Sequence, residues 1–129
     1  MPVLATLVAA AFALCQPGPR NTCVVDGDTF WIEGEKVRIA DINAPETHSA
    51  QCSFEQQLGE RATSRLIALL NQGPFDLDLW SARDRDRYGR LLRVVTRRGR
   101  SLGAELVAEG LAEHWKGRRS NWCEGTVPS

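Results

Sequence analysis

The chain carries little that would announce a partner at a distance. Its 129 residues hold 16 Lys plus Arg against 16 Asp plus Glu, a formal net charge of zero. No global field of one sign therefore steers it toward nucleic acid or an anionic membrane, and any ligand must be recognised locally. Lysine is nearly missing, with only Lys36 and Lys116. The basic side is almost all arginine, whose planar fork grips phosphate or carboxylate in two places at once. The longest uncharged apolar run, Val3 to Leu14, falls short of the roughly 20 residues a membrane-spanning helix requires. The four cysteines form no C-x-x-C pair and have no histidine-rich cluster beside them, which argues against zinc. Internal repeats and low-complexity segments are absent as well.

What is present fits one domain with a single modest core. Val3 to Leu14 has the length of a signal-peptide h-region, and Ala11-Phe12-Ala13 offers an A-x-A cleavage motif, although no basic residue precedes the run. The expectation is export, to the periplasm or the medium. Cys15, Cys23, Cys52 and Cys123 agree with it, because oxidising compartments form and keep disulfides. Three pairings are open, and buried free thiols are the plain alternative. A Cys52–Cys123 bond would tie the end of the chain to the start of its main helix, worth about 4 kcal/mol by the chain-entropy account.

Strand, helix, strand, helix is the order that the patterning gives. Thr29 to Glu33 and Lys36 to Ile42 are rich in β-formers on either side of Gly34 and predict a tight hairpin. Ser53 is expected to cap a helix, with Gln56 completing a capping box. Phe54, Leu58, Ala62, Leu66, Leu69 and Leu70 recur at helical spacing and predict its buried face, and Asn71-Gln72-Gly73-Pro74 stops it. Phe75, Leu77 and Leu79 alternate with aspartates as a half-buried strand. Leu91 to Thr96 predicts another strand, Arg97 to Arg100 a turn, and Ser101 to Glu109 a short helix ended by Gly110. Short strands interrupted by a helix suggest a small, partly open barrel of the OB type, an α+β and mainly β arrangement.

Three groups of residues carry chemistry. In Val24-Val25-Asp26-Gly27-Asp28-Thr29-Phe30 two carboxylates converge at a bend, where they repel unless a cation is near. "VRIADINAPET", Val37 to Thr47, offers Arg38 on a strand, Asn43 and Ala44 at its end, and Glu46 beyond Pro45. "RDRDRYGR", Arg83 to Arg90, presents Arg90 from a Tyr-Gly-Arg turn. Each alone has a bland explanation as a turn, a strand-face charge or a self-neutralising solvated loop.

Together and in this order, D-G-D-T, R-x-x-x-x-[DN]-x-P-E, D-x-Y-G-R and the later "ELVAEGLA" resemble the staphylococcal nuclease-like (thermonuclease) family over about Cys23 to Trp115. That resemblance implies a five-stranded OB-type barrel with two helices and calcium-dependent hydrolysis of phosphodiester bonds in DNA or RNA. It also implies DNA or RNA as the substrate and no stable protein partner, so a monomer is expected. Residues 1–20 read as signal peptide or apolar N-terminal segment, 21–123 as the nuclease-like domain and 124–129 as a C-terminal tail.

Carried over by motif, the resemblance makes Asp28 a direct calcium ligand, with Asp26 supporting it from outside. It puts the family's second carboxylate ligand on Asn43 and a backbone carbonyl ligand on Ala44. Glu46 takes the role of positioning or deprotonating the attacking water, and Arg38 and Arg90 that of the phosphate clamp. Tyr88, with Arg87 beside it, contacts substrate, and Trp115 stands in for a base-pocket aromatic without a secure match. The family's long C-terminal helix has no counterpart after "NWCEG".

The departure at Asn43 keeps an oxygen donor but removes one unit of charge, so weaker calcium binding is expected. Asp41 lies about 7 Å back along the strand and is not expected to be a direct ligand. Two other readings stand beside the enzyme: a catalytically silent OB-type module binding nucleic acid or a protein, and an envelope protein with a structural role.

Overall fold

A computed structural model describes residues 11–124. Val3 to Ala10 of the apolar run and residues 125–129 of the expected tail lie outside the described residues. The order is β1 (Cys23–Asp26), β2 (Thr29–Ile32), β3 (Glu35–Ile39), β4 (Ile42–Asn43), α1 (Ser53–Leu70), β5 (Asp76–Leu79), β6 (Leu91–Arg97), β7 (Arg100–Ser101), α2 (Leu102–Ala108) and β8 (Glu113–His114).

Five strands run β1-β2-β3-β6-β5 in one mixed sheet, with β7 added on β6, and β4 pairs β8 separately. The β3–β6 pair is parallel and its neighbours antiparallel. This is the mainly β, partly open arrangement with two helices that the strand pattern predicts. The predicted Lys36–Ile42 strand is broken in two, because Asp41 lies in a turn and β4 leaves the main sheet for β8.

The core lies between the sheet and the helices: Val24, Phe30, Val37, Ile39 and Val95 from strands meet Ala62, Leu66 and Leu69 of α1 and Leu102 and Leu106 of α2. The α1 face is rotated at its start from the one predicted. Phe54 is exposed, while Glu55 and Gly59 are buried with Ala62, Thr63 and Leu66. The cap is Cys52, whose sulfur accepts from the Glu55 N–H, rather than Ser53. Leu79 at the end of edge strand β5 is solvent-exposed, since no layer covers that end.

Phe12 belongs to this core. Its ring packs 5.9 Å from Phe30 and 6.0 Å from Phe75, and its backbone exchanges two hydrogen bonds with the Asn71 side chain. Disulfides join Cys15 to Cys23 and Cys52 to Cys123. The first staples this segment to β1; the second closes a loop of 71 residues' separation, where the entropy gain is largest.

Candidate active site

The Asp-Gly-Asp bend is the β1–β2 turn, and its glycine serves close approach rather than an unusual φ. A Cβ on Gly27 would stand 2.8 Å from the Cβ atoms of both Ala44 and Ala62. The bend is thereby pressed against α1 and the chain after β4, which brings Asp28 to Ala44. The Ala44 N–H donates to Asp28 Oδ2 at 2.9 Å and the Thr29 hydroxyl to Oδ1 at 2.9 Å. Arg38, opposite Thr29 on β3, places Nη1 3.6 Å from Asp28 Oδ2.

These neighbours divide the two aspartates. Burial pushes Asp28 up, but the Arg38 charge, a hydrogen bond with Asp26, the Ala44 N–H and the Thr29 hydroxyl hold its carboxyl below the usual range. Asp26 goes the other way: burial, the Asp28 charge beside it and the more distant Glu46 push it up to about 8. The crowding of two buried carboxylates thus falls on Asp26, while Arg38 keeps Asp28 the more acidic of the pair.

Calcium prefers six to eight oxygen donors at a flexible site, and the residues present fit it. Besides the two carboxylates, Asn43 is fully buried and its Oδ1 has no hydrogen-bond partner among the described residues. No three His, Cys, Asp or Glu side chains converge as a ready-made cluster among the described residues, so amide and backbone oxygens would have to complete the set. The Asn43 amide is oriented by its Nδ2, which donates to Glu113 Oε2 at 2.9 Å across the β4–β8 pair. Asp41 is engaged elsewhere, accepting from the Ser101 hydroxyl at 2.7 Å at the start of α2.

Glu46 is held by its backbone. The Glu55 carboxylate, in the first turn of α1, accepts from the Glu46 and Gln51 N–H groups, each at 3.0 Å. It also places negative charge at the positive end of the helix. Gly59, one turn later, lets the loop lie flat on α1: a Cβ there would be 2.7 Å from the Glu46 carbonyl oxygen and 2.9 Å from that of Pro45. Gly59→Ala should cost about 1–3 kcal/mol in urea denaturation, the usual penalty of overpacking against backbone that must move. A stability equal to wild type would show that the loop is not seated on α1.

The third motif faces a groove. Asp86 Oδ1 accepts from the Tyr88 and Arg90 N–H groups, both at 2.9 Å, and Oδ2 accepts from Arg90 Nε at 2.7 Å. Burial opposes its charge, but these bonds hold its carboxyl below the usual range. Gly89, at φ +82°, allows the tight turn that aims Arg90. Arg90 and Arg87 lie 5.4 and 5.0 Å from the Tyr88 ring, and Arg38 lies 5.7 Å from Trp115. Arg38, Arg83, Arg87, Arg90 and Arg119 line this open groove with Trp80, Tyr88 and Trp115, against one acid, Asp86. Local positive charge thus exists where the whole chain has none.

Asp26, Asp28, Arg38 and Ala44 therefore meet at one point, while Arg87, Tyr88, Arg90 and Trp115 share the groove. Arg38 belongs to both. Its Nη1 donates to the Ile39 and Ile42 carbonyls as well, and the residue lines the groove. Sequence reasoning missed Glu113, Glu55 and Arg119. No short motif contains them, and only the Glu55 position, three after the cap, carried a local signal.

A sequence model of the staphylococcal nuclease homologue family matches residues 36–126. Endonuclease YncB of Bacillus subtilis is 39% identical over 92 residues, covering 68% of this chain and 43% of the relative. The SPbeta prophage-derived endonuclease YokF of the same organism is 39% identical over 92 residues, covering 68% of this chain and 31% of the relative. An uncharacterized endonuclease of Haemophilus influenzae is 32% identical over 106 residues, 75% of this chain and 54% of the relative. The chain thus spans less than half the length of the two Bacillus relatives it matches.

Proposed function

The chain belongs to the staphylococcal nuclease homologue family, and from that premise we propose that it is an exported, monomeric, calcium-dependent endonuclease hydrolysing phosphodiester bonds of DNA or RNA. The observation that carries this reading is the juxtaposition of buried Asp28 and its partner Asp26 with an arginine-lined groove, joined through Arg38.

Hydrolysis of a phosphodiester gathers negative charge on the phosphoryl oxygens as water attacks. Asp28, Asn43 and the Ala44 carbonyl, with Asp26 behind them, would hold calcium, which supplies positive charge to those oxygens. Arg38 and Arg90 meet the same charge from the groove side. Glu46 orients the water and takes its proton as the oxygen approaches phosphorus, a contribution commonly worth about 10²- to 10⁴-fold. Arg87, Tyr88 and Trp115 hold the nucleotide on either side of the scissile bond. If export involves cleavage, the cut that preserves the Phe12 packing follows Ala11, where Ala9-Ala10-Ala11 also satisfies A-x-A.

Incubation with single-stranded DNA in calcium, and again with a chelator, tests the activity directly. Cleavage in calcium alone is expected, and Arg90→Ala should lower turnover by about two orders of magnitude or more, as loss of a transition-state charge partner does. Wild-type turnover in that variant would remove Arg90 from the clamp. One observation favours the silent-module alternative: Arg38 is 7% exposed and already bonds two backbone carbonyls. Binding without cleavage under every divalent ion would support that reading.

A further inference from the structure

The segment after β8 carries a cation that no motif marks. It is pinned at both ends and in the middle. The Trp115 N–H donates to the Asp41 carbonyl at 2.9 Å, and Cys123 is bonded to Cys52 at the start of α1. Glu113 accepts from the Ser120 N–H at 3.1 Å and from its hydroxyl at 2.5 Å. Arg119, next to Ser120, is therefore delivered by a fixed backbone. Its Nη1 pairs with Glu46 Oε2, and its guanidinium lines the groove with Arg38, Arg90 and Trp115.

The pair is costly for the chemistry assigned to Glu46. A carboxylate oxygen that already accepts from a guanidinium is a poorer acceptor for a water proton than a free one. An incoming phosphodiester brings a negative charge to the same groove and offers Arg119 an equivalent partner. Arg38 and Arg90 are each partly committed, to backbone carbonyls and to Asp86, whereas Glu46 is the one hydrogen-bond and ion-pair partner of Arg119 among the described residues and lines a neighbouring pocket that shares Arg119 with the groove. We propose that Arg119 is a third phosphate-binding arginine: Glu46 is its partner in the free protein, the substrate phosphate is its partner in the complex, and the exchange frees the Glu46 carboxylate. This rests on the nuclease reading for the role of Glu46, but the phosphate contact can be measured without any cleavage.

The probe is fluorescein-labelled dodecathymidylate, bound in the presence of a chelator and followed by anisotropy across a series of KCl concentrations. Arg119→Gln should weaken binding about tenfold at low salt and make the log–log salt slope shallower by about 0.7, the value for one phosphate contact on a single strand. Arg119→Lys should keep the wild-type slope, since it keeps the charge. Glu46→Gln should tighten binding severalfold, because the competing carboxylate is gone, and should add nothing in an Arg119→Gln background. In calcium, Arg119→Gln should raise KM more than it lowers kcat. A wild-type salt slope in Arg119→Gln, a higher kcat at unchanged KM, or no oligonucleotide binding by the wild type would each overturn the proposal. Wild-type protein that binds with the expected slopes but never cleaves would instead overturn the nuclease reading and leave the Arg119 contact standing.

Discussion

Glu46→Gln should lower single-turnover cleavage by about 10²- to 10⁴-fold, the range spanned by a general base, with no loss of stability. Glutamine has the same shape but does not take a proton from water at neutral pH. The loop that carries it should stay in place, because the Glu55 carboxylate binds the backbone N–H of Glu46 and not its side chain, and because Gly59 seats the loop on α1. Among the described residues the side-chain partner given up is Arg119, in a half-exposed ion pair worth little to folding. Unfolding midpoints in urea should therefore match those of the wild type. Glu55 provides the contrast: it is buried and satisfies two backbone donors, so Glu55→Gln should lower stability and activity together. Rates that survive Glu46→Gln within a factor of a few would show that another group activates the water.

The contrast between Glu46 and Glu55 also marks where a sequence is readable. Strands β2 and β6, the two helix ends at Asn71 and Gly110, and the turn at Arg98-Gly99 follow local rules of pattern and backbone freedom, and these are where pattern predicts them. Asp28, Arg38 and Arg90 could be singled out because each stands in a short motif with fixed spacing. Their partners are a different matter. Asn43 and Glu113 are 70 residues apart and meet because β4 turns out of the main sheet to pair with β8; Glu46 and Arg119 are 73 apart and lie in the segments that follow those two strands. Spacing carries no trace of such pairings. The shifted cap has a local cause that pattern could not weigh: Ser53 is the better intrinsic cap, but the Cys52–Cys123 bond fixes Cys52 in an extended conformation at the cap position. Phe54 then falls on the solvent side and Glu55 on the inner one.

Asn43→Asp should destabilise the metal-free protein by about 3–5 kcal/mol, the cost of a buried charge without a counterpart. Asn43 is wholly buried, and its Nδ2 now donates to Glu113; an aspartate would set oxygen against oxygen across the same 2.9 Å contact. Urea denaturation in a chelator measures the loss. The second carboxylate should nevertheless strengthen calcium binding beside Asp28, because affinity grows with ligand charge, so the stabilisation gained on adding calcium should exceed that of the wild type. Combining Asn43→Asp with Glu113→Gln separates the two effects. The glutamine amide can donate to the new carboxylate and remove the repulsion, but the Ser120 N–H then loses its acceptor, so the double variant should recover part of the stability and keep the larger calcium response. A double-mutant cycle should give a coupling energy of about 1–3 kcal/mol between these contacting residues. Additive effects would mean that Asn43 and Glu113 do not meet in solution, and an unchanged calcium response in the double variant would remove Asn43 from the metal site.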